Sequence, residues 1–476
     1  MLNMTKTNIK LPNGSKAPAF IQMMQWIASP LSMMSKCAKR YGDIFTLNIG
    51  KKYTPIVFVS NPIALQEILT GDSTKQFSAP GEDNGIFEPL VGKYSVITLN
   101  GKQHQRQRQL LTPPFHGERM RSYTEVISNI TVEVMSELHI DKPFSVRDIT
   151  QAITLKTIIK AVFGFYEGER AKTLEGLLDV MLDNSSSPFG VMMLYFPALQ
   201  KDLGALSPWG KYLRRIEQID KLIYQEIEER RGQADSSRTD ILSLLMSARD
   251  EAGECMTDQE LRDELLTLLI AGQETTATAL AWALYWIHKL PTVREKLLLE
   301  IDSLGDVGAN LDSTAINKLP YLNAVCCETL RIYPVGMLTF ARVVETPVNL
   351  CGYDLEPGTV LYGNIYLTHH REDLYPEPYL FKPERFLARQ FSPYEFLPFG
   401  GGLRRCIGAA FAMFEMKVAL FKILSEYSLA LTDNRDVKPG RRGLVTAPAS
   451  PIKMVVTGKR NNSPNSFSEK ASVSAM

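Results

Sequence analysis

Charge imbalance is the first thing this sequence lacks. Lys plus Arg number 53 and Asp plus Glu 52, a formal charge of +1. That balance argues against nucleic acid or a strongly acidic molecule as the main partner. Cysteine is scarce, with six in 476 residues. They stand at Cys37, Cys255, Cys326, Cys327, Cys351 and Cys406, with no CxxC pair among them. That is too sparse for a disulfide framework and the wrong spacing for a paired-cysteine metal site. A reducing, cytoplasmic setting is expected. No run of 18 apolar residues occurs without a polar break, so no transmembrane helix is expected. The opening MLNMTKTNIKLPNGSKAPAF lacks the apolar core of a signal peptide. Peripheral contact with a membrane surface stays open. There is no internal repeat, and no flavin or iron–sulfur motif.

The rest is a normal globular composition, 45% hydrophobic and 22% charged. A chain this long buries a large core and still has room for an internal cavity. Residues 1–20 read as an arm, with Pro12 and Pro18 resisting helix. Residues 21–458 read as one large domain, and the polar stretch 459–476 as a disordered tail. Within the domain, DIFTLNIGKKYTPIVFVS (residues 43–60) alternates like a hairpin, with its turn at Gly50-Lys51. Asn61-Pro62 opens a helix to about Leu69. From about 100 to 330 the pattern is mostly helical. The clearest helix starts with a capping box at Thr257–Glu260 and stops before Pro291. At 1.5 Å per residue it spans about 50 Å and is apolar on several sides, so it is expected to run through the middle of the molecule. After residue 340 short strands alternate with Gly and Pro turns. An irregular Pro-rich stretch follows at 375–400, and a last helix is expected from about Ile407. The expected class is mainly α with small β-sheets. Basic residues gather at Arg106 and Arg108, at Arg404 and Arg405, and at Arg441 and Arg442. Such clusters suit anionic groups, although a solvated face is the expectation for Arg441 and Arg442.

The sharpest feature is FLPFGGGLRRCIGAAFAMFEMKVALF. Gly400 to Gly402 permit tight turns and close approach of a large flat group. Cys406 lies directly before a helix, whose N-terminus favours negative charge and lowers a thiol pKa. Arg404 can reach an anion nearby, and Gly408 leaves space beside the sulfur. A buried structural cysteine beside a Gly-rich loop is the plain alternative. The whole pattern Phe399-x-x-Gly402-x-Arg404-x-Cys406-x-Gly408 resembles the haem-binding signature of the cytochrome P450 superfamily at every fixed position. The resemblance implies a single domain holding haem b (iron protoporphyrin IX) between the long central helix and the cysteine loop. Cys406 would then be the iron ligand, donating electron density that favours O–O cleavage. Arg404 would pair a haem propionate, and Phe399 would pack near the sulfur.

Other motifs come in the family's order. Glu328-Thr329-Leu330-Arg331 resembles its ExxR motif, and Arg385 in FKPERF would complete a structural Glu-Arg-Arg network. Ala271-Gly272-Gln273-Glu274-Thr275-Thr276 resembles its distal motif. There Ala271 would lie against the haem, Thr275 would hold dioxygen and water, and Glu274 would help relay protons. On the residues alone, these threonines could simply kink the helix. His104 and Arg108 share a helix face and stand where the family usually has Trp and Arg. With Arg342, at the head of a later strand, they would serve the propionates.

The resemblance spans about Leu11 to Gly458 and is nearest to soluble bacterial, notably cyanobacterial, members. It implies a monooxygenase using O2 and electrons from separate partners, such as a ferredoxin and its reductase. These would dock near Arg405 and Lys417. Val96, Val335, Met337, Leu338 and Thr446 would line an apolar substrate pocket, suited to a fatty acid, alkane or terpene-like molecule. PFGVMMLYFPAL (Pro188 to Leu199) reads equally as a channel roof or as core packing. A haem-thiolate isomerase or peroxide-using enzyme, and a non-enzymatic haem sensor, are the competing functions.

Overall fold

The computed structural model describes residues 11–460, apart from 73, 116–118, 166, 233–237 and 306–312. Helices dominate, and they pack around the one that the capping box announces. That helix is Asp258–Lys289, 32 residues long. Thr257 accepts from the Glu260 amide, and the Glu260 side chain accepts from the Thr257 amide, so two end-group donors are satisfied. Leu261, Leu265, Leu266, Leu269 and the run from Ala277 to Tyr285 are buried. An element apolar on all sides is stable only inside, and here helices Val146–Phe163, Pro320–Ile332 and Ala409–Glu426 surround it.

The hairpin forms strands Ile44–Asn48 and Pro55–Val59, antiparallel, with Phe45 opposite Phe58. Its second strand continues in parallel to Val360–Gly363, which pairs antiparallel with Arg342–Val344. A fifth short strand, Phe77–Ser78, closes that sheet. The sheet covers one flank and carries its own apolar cluster around Val57, Leu65 and Leu361. At the far end, Lys453–Lys459 pairs with Tyr427–Leu431 and Pro143–Ser145.

Several sequence boundaries move. Helix begins at Ala19, inside the expected arm, and residues 1–10 lie outside the described residues. Lys459 ends a strand, paired with Tyr427, so the domain runs past 458. The remaining tail, 461–476, lies outside the described residues. The last helix starts at Ala409, three residues after the cysteine. Arg441 and Arg442 are not a solvated face. Arg441 stacks over the rings of Trp26 and Tyr195 at 5.8 and 5.0 Å and donates to the Trp26 carbonyl. Arg442 pairs with Asp183 at 2.7 Å. Cation–π partners remote in sequence are what periodicity cannot reveal.

Candidate functional site

The cysteine loop is fixed from both ends. The Cys406 amide donates to the Phe399 carbonyl at 2.9 Å, which folds residues 399–406 into a closed loop. Gly400 and Gly402 both take positive φ, +67° and +64°. At Gly402 a Cβ would stand 2.4 Å from the Leu69 carbonyl oxygen, so only glycine fits. At Gly408 nothing lies within 4 Å of such an atom, so that position faces open space.

Cys406 itself keeps accessible surface, yet burial pushes its thiol pKa up, against the Gly408 amide, Arg108 and Arg405. Both observations hold for a side chain lining an internal hollow. The direction corrects the sequence expectation of a lowered thiol pKa. The helix starts three residues on and the nearest cations are modest in effect, so desolvation wins. A bound metal cation would reverse that balance.

The same sign of interior surface occurs on the long helix. Ala271 is exposed and Thr275 half-exposed, one turn apart, within a stretch that is otherwise largely buried. The Thr275 Oγ1 donates to the Ala271 carbonyl at 2.6 Å. The helix nevertheless continues unbroken through this point. Glu274 takes a different direction. Its carboxylate accepts from Arg147 at 2.8 and 3.1 Å and from Gln151 at 3.3 Å. Arg442 stands 3.8 Å away. The acid and the alcohol that are adjacent in sequence are thus engaged on different sides.

Four basic side chains converge near the loop. His104 is buried, and its pKa is lowered to about 3, first by desolvation and then by Arg404, Arg108 and Arg342. Arg404 is pushed down to about 10 by burial and then by Arg342. It donates to the carbonyls of Ala79, Val96 and Leu99. Arg342 is fully buried, donates to the carbonyls of Ala341 and Gly401, and lies 3.1 Å from Asp72. The Arg108 guanidinium is half-buried and has no hydrogen-bond partner among the described residues. Three guanidiniums, with Asp72 as the carboxylate facing them, form a surplus of buried positive charge that a dianionic group would neutralise. In charge and in the sulfur that they present, the residues fit a group such as haem, which carries two carboxylates and takes a sulfur ligand.

Behind the loop, Arg331 and Glu328 are fully buried and joined by two hydrogen bonds, 2.6 and 2.8 Å. Arg331 also donates to the carbonyls of His369 and Pro378, and Arg385 comes within 3.4 Å of Glu328. These residues tie the irregular stretch to helix Pro320–Ile332. His369, which the sequence does not single out, accepts the Leu397 amide at 3.0 Å and so fixes the entry of the loop.

The expected pocket residues separate. The Thr446 amide donates to the Val335 carbonyl at 2.8 Å, and the buried Thr446 Oγ1 lacks a partner. Val96 is half-buried beside Arg404. Met337 is buried in the cluster around Trp26 and Phe58, with Leu338 packed against it. In the roof segment, Met192, Met193 and Phe196 are half-buried, while Phe189 is exposed. Lys417, expected on a docking face, is half-buried and donates to Asn317. Arg405 is exposed. Among the described residues no helix is long and apolar enough to cross a membrane.

Comparison with known proteins gives the family and the fold. Residues 12–456 match the family described as Cytochrome P450. "Putative cytochrome P450 135B1" of Mycobacterium tuberculosis is 34% identical over 463 residues, covering 97% of this chain and 94% of the relative. "Putative cytochrome P450 137" of the same species is 32% identical over 439 residues, covering 92% and 88%. The solved structure described as "Retinoic acid bound cyanobacterial CYP120A1" superposes with a TM-score of 0.81 at 21% identity, covering 94% of this chain and 99% of the other.

Proposed function

The chain belongs to the cytochrome P450 family, and from that premise we propose that it is a haem-thiolate monooxygenase. One oxygen atom of O2 enters a C–H or C=C bond of a hydrophobic substrate of the fatty-acid, alkane or terpene type. The other leaves as water, with two protons and two electrons from outside. The observation that carries the reading is Cys406, lining an interior hollow beside the surplus positive charge of Arg108, Arg342 and Arg404. Haem b, held by that sulfur and those cations, would supply O2 activation. The chain's own residues do the rest. Arg108 is available to a carboxylate, and His104 stays neutral and can donate an N–H. Arg404 spends its five N–H groups on the carbonyls of Ala79, Val96, Ile97 and Leu99 and would act on a carboxylate through its charge. Thr275 presents a hydroxyl to the interior, and its O–H now donates to the Ala271 carbonyl.

Electrons come from a separate donor, of the ferredoxin and ferredoxin-reductase kind, docking on the face that carries Arg405. A cytoplasmic location is consistent with six unpaired cysteines. For peripheral membrane contact, the apolar groups to test are Leu203 and Leu206, 77% and 89% exposed, instead of the half-buried methionines. An isomerase or peroxide-using enzyme, or a haem sensor, has less need of a hydroxyl at the interior face.

The decisive experiment is the spectrum of the reduced protein with carbon monoxide. A strongly red-shifted Soret band, abolished by Cys406→Ser, is expected. A band of the histidine-ligated type in the unsubstituted protein would overturn the reading.

A further inference from the structure

A second cleft, of about 210 Å³, opens under the roof segment, and its walls include none of Cys406, Ala271 or Thr275. It lies between the end of helix Glu169–Ser186, helix Pro188–Tyr195 and the first turns of helix Pro208–Gly232. Leu90, Phe189, Met193 and Trp209 make the apolar walls, and Lys211 and Arg215 stand at the rim. The Trp209 wall is rigid. Its ring stacks on Tyr212 at 5.0 Å and 27°, and the Tyr212 hydroxyl donates to the Pro89 carbonyl at 2.5 Å.

The two rim cations are four residues apart and share a helix face. Neither has a carboxylate partner among the described residues, and no Asp or Glu lines the cleft. The neighbours differ. Arg214 has Asp202 at 2.8 Å, and the nearby Asp183 is taken by Arg442 at 2.7 Å. Asp202 and Asp183 are thus committed elsewhere, and Lys211 and Arg215 keep their charges free of an ion pair among the described residues. The volume falls below the roughly 300–1,000 Å³ usual for drug-sized ligands. It suits one chain end better than a fused ring system.

From apolar walls, a paired cationic rim and this size, we infer that the cleft binds the head end of a single-chain carboxylic acid. The carboxylate meets Lys211 and Arg215, and the first methylenes lie on Trp209 and Met193. The inference deepens the oxygenase reading by naming the acid class captured at the roof. Capture itself is independent of that reading, and only the later oxidation of the acid rests on it.

The test uses the haem-loaded protein and dodecanoate below its micellar concentration, read by tryptophan fluorescence. Trp209 is the tryptophan that lines the cleft, so Trp209→Phe identifies its share of the signal. Saturable quenching is expected, with dodecanol binding at least about tenfold more weakly. Lys211→Glu combined with Arg215→Glu should weaken dodecanoate at least about tenfold, with the carbon monoxide spectrum unchanged. Equal binding of dodecanol, full affinity in the charge-reversed variant, or a signal that survives Trp209→Phe would each overturn the inference. The carbon monoxide band reports on Cys406 and the fluorescence on the cleft, so either reading can fail alone.

Discussion

Arg147 and Glu274 form a two-pronged ion pair across 127 positions of sequence, Nη1 to Oε1 at 2.8 Å and Nη2 to Oε2 at 3.1 Å. Glu274 is only 9% exposed at its side chain, Arg147 24%. Removing one partner of a fully buried pair costs about 3–5 kcal/mol, because the other charge is stranded. Arg147 has partial access to water, so Arg147→Gln should cost about 2 kcal/mol in urea unfolding. Glu274→Gln keeps a hydrogen-bond acceptor and should cost less. If the two substitutions together cost the sum of the singles, the pair is not coupled in solution.

The Thr275 hydroxyl faces the interior without Glu274 beside it, which makes a sharp functional test. Under the monooxygenase reading, Thr275→Ala should consume the electron donor at near the usual rate, lose product and release peroxide. Product formation unchanged in the variant would favour the isomerase reading.

Legibility in the sequence tracks the range of the interactions. The capping box, the long helix and the hairpin are local, so periodicity and turn residues specify them. The cysteine loop is legible because its glycines and cysteine act within ten residues. Glu274 is legible as an acid within the long helix, but its direction is not, since Arg147 and Arg442 come from distant elements. The thiol pKa escapes the sequence for a related reason. A helix N-terminus is visible there, whereas the depth of burial around Cys406 is a property of the packed molecule.

Arg331 shows what the network behind the loop is for. It is fully buried and makes hydrogen bonds to Glu328 and to the carbonyls of His369, Pro378 and Leu380. Lysine cannot reproduce a planar fork with five donors. Arg331→Lys should therefore cost about 3 kcal/mol or more and reduce the haem-loaded fraction recovered on expression. Wild-type loading and an unchanged unfolding midpoint would show that the network is dispensable.

Two glycines of the loop should respond in opposite ways. Gly402→Ala forces a Cβ to 2.4 Å from the Leu69 carbonyl oxygen at a φ of +64°. The backbone cannot yield cheaply, and a loss of about 2 kcal/mol or more is expected. Gly408→Ala meets nothing within 4 Å, so its unfolding free energy should change by no more than about 0.5 kcal/mol. Its effect should appear instead as a shifted Soret band, because the Gly408 amide is hydrogen-bonded to the Cys406 thiol. Equal destabilisation by both would refute the local geometry.

The pH dependence has a specific source in His369. Its Nε2 accepts the Leu397 amide at 3.0 Å, so the ring is neutral with its proton on Nδ1. Burial, then Arg331 and His370, hold its pKa well below the ordinary value. In the unfolded chain the same ring titrates near 6.5. As pH falls below about 6.5, the unfolded state takes up a proton that the folded state refuses, and stability falls. The slope from this one group is at most about 1.4 kcal/mol per pH unit. His370, lowered to about 3 mainly by burial, adds in the same direction. His369→Gln offers the Leu397 amide an acceptor that cannot titrate. Unfolding free energies measured from pH 7 to pH 5 should therefore fall less steeply in the variant, and the difference between the two curves isolates His369 from His370. Parallel curves would mean that His369 takes up its proton in the fold as it does in the unfolded chain, and that the Leu397 amide does not depend on it.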